Sequence, residues 1–345
     1  MPTTGVEVRD LMQAHLSLGN RKPLVSIGVP LYNAERFVRY ALDSLLNQSY
    51  ENLEITVCDN ASTDRTEAIC SEYARRDPRV HYYRNPVNIG QTRNFRRVLE
   101  LSSGEYFMWA CADDIRTPDA VQSCLEAILR NRDAVMAYGV VLLKGNGQEE
   151  LLQIKNTWDT RFPTAAERIR AFTRGISSQC ISYGLYKKTA LSNVVYSNAY
   201  GQEYLLLLQL CLHGRFEYVE HPMIVYQLRK VIPFNNPMYE DTPITLKGLL
   251  TDGGLRRWKC WTVLVMGSYY LFTARNVKMS EKVSGVAAHV ATFSQVYRRR
   301  LAKEILFQLF APISWASCLG WYLARRWNSS YSLARKLRSI IFKAS

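Results

Sequence analysis

The sequence predicts an α/β protein with a mostly parallel central sheet and a helical C-terminal extension. Three observations carry this. Short apolar runs at 24–30, 53–58, 80–83 and 106–110 read as strands. Stretches with apolar residues at helical spacing separate them. The intervals are short, as right-handed crossovers between neighbouring parallel strands require. Of the 345 residues, 48% are hydrophobic and 21% charged, which describes a globular chain rather than a disordered one.

Taken in order, residues 1–22 form a polar lead-in with a short helix expected near 11–18. The run LVSIGVP (24–30) is a β-rich first strand. A loop from Leu31 to Glu35 follows, and Phe37, Tyr40, Ala41, Leu45 and Leu46 mark a helix. LEITVC (53–58) is the second strand and ends in Asp59. A helix over 64–73 takes Ser62 or Asp64 as its cap. Asn88, Ile89 and Gly90 open a helix that runs to Leu101. The fourth strand, 106–110, stops at two adjacent carboxylates, Asp113 and Asp114. Thr117 is expected to cap the next helix, with Pro118 at its first position. A strand over 134–143 follows, then a helix from 165 to 172 and a strand over 180–186. An apolar helix spans 202–212, and short separate strands cover 216–219 and 224–228. Residues 231–243, with three prolines, read as a linker to an all-helical remainder.

The chemistry gathers at one sheet edge. Consecutive parallel strands share a carboxyl edge, where open α/β folds bind ligands. The first strand delivers Tyr32 and Asn33 there, the second Asp59, the fourth Asp113 and Asp114. A ring to stack, an acid for base or ribose donors, and hard oxygen ligands for Mg²⁺ or Mn²⁺ together suit a nucleotide diphosphate. The plainer alternative makes Asp113 and Asp114 solvated acids in an ordinary turn. No GxGxxG follows the first strand, and no GxxxxGK[ST] or GxSxG occurs, which argues against a dehydrogenase, a P-loop nucleotidase and an α/β-hydrolase. The eight cysteines show no zinc-site spacing and read as reduced residues of a cytosolic protein. The N-terminus has no apolar stretch of a secretory signal.

Four segments, VSIGVPLYNAERFV, VCDNASTDRT, NIGQTRNF and GEYFMWACADDIRTP, resemble in order the motifs of the family 2 glycosyltransferases over residues 23–230. The resemblance implies a GT-A fold and an inverting transfer of a sugar from a nucleotide diphosphate-sugar. It implies that Pro30, Tyr32, Asn33 and Glu35 meet base and ribose, and that Asp59 contacts them too. Asp64 matches the second acid of that motif or only caps a helix. Arg93 lies where the family contacts the diphosphate. Asp113 matches the metal-binding acid of the DxD motif, and Asp114 orients a loop or a sugar hydroxyl. Cys111 stands where the first acid of DxD is usual, a departure that bears on metal binding. Glu203 aligns with the catalytic base, the alternative being a first-turn acid favoured by the helix dipole. Of His213, His221 and Arg229, the arginine best suits phosphate.

The formal net charge is +14, and from Arg298 onward ten basic residues face one acid. Around 305–323 an apolar segment rich in Trp is interrupted by Gln308, Pro312, Ser314 and Ser317. A membrane-surface helix pair suits it, as does a packed hairpin in a soluble domain. The organisation read from the sequence is a lead-in over 1–22, a transferase domain over 23–232 and a basic helical region over 233–345. The expected setting is the inner face of the cytoplasmic membrane, in cell-envelope polysaccharide or glycolipid assembly, with a carbohydrate or lipid-linked acceptor. Two rival functions are a non-catalytic nucleotide-sugar-binding module and a basic nucleic-acid-binding protein. Nucleic acid is disfavoured because the charge flanks an apolar segment rather than an aromatic groove.

Overall fold

A computed structural model describes residues 22–144, 151–154, 160–175, 179–196, 202–227, 259–299 and 301–302. The strands are β1 (Val25–Leu31), β2 (Leu53–Asp59), β3 (Val80–Arg84), β4 (Tyr106–Trp109), β5 (Ile115–Arg116), β6 (Ala134–Lys144), β7 (Leu151–Ile154), β8 (Leu185–Lys187) and β9 (Arg215–Gln227). The helices are α1 (Val38–Leu46), α2 (Thr66–Arg76), α3 (Gln91–Leu101), α4 (Ala120–Arg130), α5 (Ala165–Gly175), α6 (Lys188–Leu191), α7 (Gln202–His213) and α8 (Lys259–Thr273). A ninth, α9, runs over 279–299. The lead-in, the linker at 231–243, Arg229 and the segment 305–323 lie outside the described residues.

One sheet has the order β3-β2-β1-β4-β8-β6-β9-β5, with β7 beside β6. β1 pairs in parallel with β2 and β4, and β2 with β3. All seven residues of β1 are buried, as a strand covered on both faces by helices must be. α1 and α4 each present an apolar stripe to the sheet. On α1 it is Val38, Ala41, Leu42 and Leu45, and on α4 it includes Val121, Cys124, Leu125 and Ile128. The shared core runs from Val25, Ile27 and Val29 through Ile55 and Val57 to Met108.

Four expectations need correction. The sheet is mixed where the 180–186 strand was expected. Residues Gln179–Tyr183 form a 3₁₀ turn, and only Leu185–Lys187 enter the sheet, antiparallel to both β4 and β6. The two short strands at 216–219 and 224–228 are one strand, β9. Pro222 reads as a break, yet it sits opposite Val140 at a bulge in the β6–β9 pairing, where a missing N–H costs nothing. At that bulge a Cβ on Gly139 would stand 2.6 Å from the His221 carbonyl oxygen, so the close approach requires glycine. Thr117 does not cap a helix. Its hydroxyl donates to the Pro222 carbonyl at 2.5 Å and its N–H to that of Met223, tying the loop to β9. The helix consequently begins later, at Ala120, and Pro118 precedes it.

The chain divides into two compact units, Met1–Val296 and Tyr297–Ser345. Within the first, α8 and α9 cover α7. A Cβ on Gly267 would meet His289 and Leu208, and one on Gly285 would meet Ile169 and Leu212, so these helices approach closely. His289 is wholly buried against Tyr204 and Phe293. Burial pushes its pKa down to about 4. The unfolded chain takes up this proton near the ordinary histidine value, whereas the fold resists it. The contribution is therefore whole above pH 6.5 and drains as pH falls toward 4. His289→Leu should flatten the pH dependence of urea stability between pH 7 and 4.5 by about 2–3 kcal/mol. An unchanged pH slope in the variant would assign the acid sensitivity to other groups.

Among the described residues no helix is long and apolar enough to cross a membrane.

Candidate active site

The register puts the candidate residues at one edge. Leu31 at the end of β1 lies opposite Asp59 at the end of β2, and Asp59 lies opposite Arg84 at the end of β3. Past Gly28 and Trp109, which pair, β4 runs out into Cys111, Asp113 and Asp114.

The loops after β1 and β2 are stitched together. Asn33, in the left-handed region at φ 49°, accepts from the Thr63 N–H through its side chain, and its own N–H donates to the Ser62 hydroxyl. Glu35 accepts from the Arg65 N–H, and Asp64 accepts from the N–H groups of Glu35 and Thr66. Ordering the α2 entrance therefore falls to Asp64, not to Ser62. Pro30 is buried inside β1, and Tyr32 is half-buried at the loop.

Asp59 is 0% exposed and already fully engaged. One oxygen accepts from the Ser62 N–H and hydroxyl, at 2.9 and 2.5 Å. The other accepts from the Tyr82 hydroxyl and the Arg84 guanidinium, each at 2.8 Å. Burial, reinforced by the bond to Asp59, pushes the Tyr82 pKa up.

A buried asparagine network sets the next loop. Asn85 donates to the side-chain oxygens of Asn60 and Asn94, and Asn94 donates to the Cys58 carbonyl. Asn60 in turn binds Asn88 and the Ile89 N–H. Gly90, at φ 84°, turns the chain into α3, a conformation that side chains disfavour. Arg93 lies exposed in the first turn of α3.

Beyond β4, Asp113 is half-buried and Asp114 only 4% exposed. Beside Asp114 lies a cation, Arg116, wholly buried, which donates to the Trp109 carbonyl at 2.6 Å. Burial lowers its pKa, and the Asp114 carboxylate beside it acts in the opposite sense. Cys111 donates to the Tyr183 hydroxyl at 3.0 Å, and burial pushes its thiol well up. The Cys111 sulfur and one oxygen each from Asp113 and Asp114 lie within 4.8 Å of one another, a spacing that a single divalent ion spans.

Tyr183 also lines a mostly apolar pocket with Phe95, Trp109, Tyr196, Leu206 and Glu203. Trp109 is held by its indole N–H on the Phe95 carbonyl, at 3.0 Å, and by edge contacts to Phe107 and Tyr186. The Tyr196 hydroxyl is buried with no hydrogen-bond partner among the described residues. Glu203 reaches this pocket from the first turn of α7. His213 closes the same helix, roughly 15 Å away along its axis, so it stands apart from Glu203. Its pKa is pushed down by burial. His221 lies on β9 with Nδ1 at 2.7 Å from the Pro222 carbonyl oxygen. Neither histidine is among the residues that line the pocket.

Comparison with known proteins bears on the family and the fold. Residues 26–194 match the glycosyl transferase family 2 profile. An uncharacterized glycosyltransferase of Rickettsia typhi is 34% identical over 123 residues, 35% of this chain and 37% of that protein. The hyaluronan synthase of Pasteurella multocida is 33% identical over 130 residues, 38% of this chain and 13% of that protein. The match thus spans well under two thirds of the length of these curated relatives. Among solved structures, S. aureus TarS 1–349 in complex with UDP-GlcNAc superimposes with a TM-score of 0.56 at 16% identity, covering 79% of this chain and 73% of that one. That likeness establishes the GT-A fold. On motifs, sheet order and profile together, residues 26–194 belong to glycosyl transferase family 2.

Proposed function

We propose that the protein transfers a sugar, with inversion, from a nucleotide diphosphate-sugar to a hydroxyl acceptor. One observation carries the reading. Tyr183 links two acid sites, accepting from Cys111 beside Asp113 and Asp114 and lining the pocket that holds Glu203. Relatives named hyaluronan and chondroitin synthase, and TarS structures with UDP and UDP-GlcNAc, favour a UDP-sugar donor.

In this reading the Tyr32–Glu35 loop receives base and ribose. Asp59, with both oxygens engaged, acts through Arg84 and the Ser62 turn, which it positions at the nucleotide edge. Arg93 and Arg229 serve the diphosphate. Asp113, with Asp114 beside it, would hold a divalent cation through its carboxylate oxygen. Such an ion, when bound, neutralises charge on the departing diphosphate. Glu203 takes the proton from the acceptor hydroxyl as its oxygen forms the new bond to the anomeric carbon. The bond to the diphosphate oxygen breaks on the opposite face, which inverts the centre. Trp109, Phe95 and Leu206 exclude water and bury the apolar face of a sugar, and the Tyr196 hydroxyl meets one of its hydroxyls.

Calorimetric titration with UDP-, GDP- and dTDP-sugars, with and without Mn²⁺, tests the donor. Metal-dependent binding of one nucleotide class is expected. Absence of binding for every donor would remove the transferase reading. Binding of a donor without turnover onto any acceptor would instead favour the non-catalytic module.

The setting we propose is assembly of envelope polysaccharide or glycolipid at the inner membrane face. Its support is the face of α8 formed by Val265, Tyr269 and Phe272, each more than half exposed, followed by Arg275 and Lys278. Sedimentation with anionic vesicles, weakened by salt, is the expected result, and a chain that stays in the supernatant at low salt would rule this setting out.

A further inference from the structure

We propose that Cys111 is a metal ligand, and that the site accordingly takes a borderline-soft divalent cation, Zn²⁺ or Co²⁺, in preference to Mg²⁺ or Mn²⁺. This rests on the reading that the acids after β4 hold a cation, and it concerns which one.

The argument begins with placement. Of the described free cysteines, Cys58, Cys70, Cys124 and Cys211 are buried, and Cys111 alone is half-exposed. Its sulfur belongs to the same 4.8 Å cluster as the two carboxylates. Donor atoms bonded to one ion at about 2.0–2.3 Å stand about 3–4 Å apart, so small side-chain rotations bring all three onto it. The sulfur is also held. The Tyr183 hydroxyl lies 3.0 Å away, a supporting group of the kind that orients a ligand from behind and tunes it. Arg116, buried beneath the loop, offsets part of the negative charge that three anionic ligands would gather.

Ligand class then decides the cation. Mg²⁺ and Ca²⁺ take hard oxygens and bind thiolate poorly, while Zn²⁺ and Co²⁺ accept a mixed sulfur and oxygen set. Exchanging a carboxylate for a thiol at this position therefore lowers affinity for the hard ions more than for the soft ones. On binding, the metal–sulfur bond forms, the thiol proton leaves to solvent, and no electron is transferred.

Co²⁺ reports thiolate ligation directly, through a sulfur-to-cobalt charge-transfer band in the near ultraviolet. Titration of the full chain with Co²⁺, alone and with UDP, GDP or dTDP, should raise this band to saturation at one ion per chain. Cys111→Ser should abolish the band while circular dichroism shows the fold intact. Cys111→Asp should shift the Zn²⁺ over Mg²⁺ preference toward Mg²⁺ by about ten- to hundredfold, measured by competition. A band that survives in Cys111→Ser arises from another cysteine and overturns the proposal. So does the absence of a band with every nucleotide, or an unchanged metal order in Cys111→Asp. The two readings fail separately. A Cys111-dependent band in a protein that transfers no sugar would remove the transferase activity and leave the ligand. Donor binding with Mg²⁺ and no band would remove the ligand alone.

Discussion

Glu203→Gln is expected to lower the turnover number for sugar transfer by about 10²- to 10⁴-fold, with donor affinity close to that of the wild type. The amide keeps the size and hydrogen-bonding reach of the carboxylate and loses only its ability to accept a proton. Glu203 enters the pocket from the first turn of α7, whose remaining side chains, Tyr204 through Leu212, are almost all buried. The helix is therefore a rigid platform, and the substitution changes chemistry rather than placement. The contrast between kcat and donor binding is what separates a base from a helix-terminal acid. An acid favoured only by the helix dipole would cost about 0.3–1 kcal/mol of stability and leave kcat nearly unchanged. Wild-type turnover in Glu203→Gln would return Glu203 to that role.

Asp113→Asn should remove metal-dependent donor binding, weakening it by about 100-fold or more while leaving metal-free binding as it was. Asp113 is half-buried at the open side of the loop, whereas Asp114 sits deeper against Arg116. Removing the charge of Asp113 takes a ligand from the cation and spares the buried pair beneath it. Asp114→Asn is predicted to differ in kind, because it strips a buried guanidinium of its compensating charge and destabilises the fold. Thermal melts of the two variants beside the calorimetry distinguish loss of a ligand from loss of the loop. Equal destabilisation by both would show that neither acid is reserved for a ligand.

Much of this arrangement was legible in the sequence. β1 to β4 are apolar runs that stop at polar loops, and burial on both faces leaves them no other composition. Their parallel pairing follows from the intervening helices, so the convergence of Tyr32, Asp59 and Asp113 at one edge could be read before any coordinates. The second half was less legible because its pairing is decided by tertiary contact. Leu185–Lys187 is too short for a period to show, and it enters the sheet because the 3₁₀ turn before it delivers it between β4 and β6. Pro222 hid the continuity of β9, since nothing local announces the bulge that accommodates it. Tyr183 and Tyr196 lie outside the motif segments, and Arg116 lies inside one with nothing there to mark its role. They matter through burial and neighbours, properties that spacing along a chain does not encode. Asn85 and Asn94 could have been suspected, because asparagines flanking a Gly-turned loop are common loop pins.

The layering of α7 beneath α8 and α9 has a consequence for dissection of the chain. A helix apolar on every side has no face it can turn to water, so it is soluble only while it is covered. The profile-matched span ends at residue 194, eight positions before α7 begins. A fragment cut there would keep the donor edge and lose Glu203. One cut after β9 would keep Glu203 but leave Leu208 and Leu212 bare, an aggregation hazard rather than a minimal enzyme. The smallest active piece must therefore carry α8 and α9, whatever these helices do elsewhere in the cell.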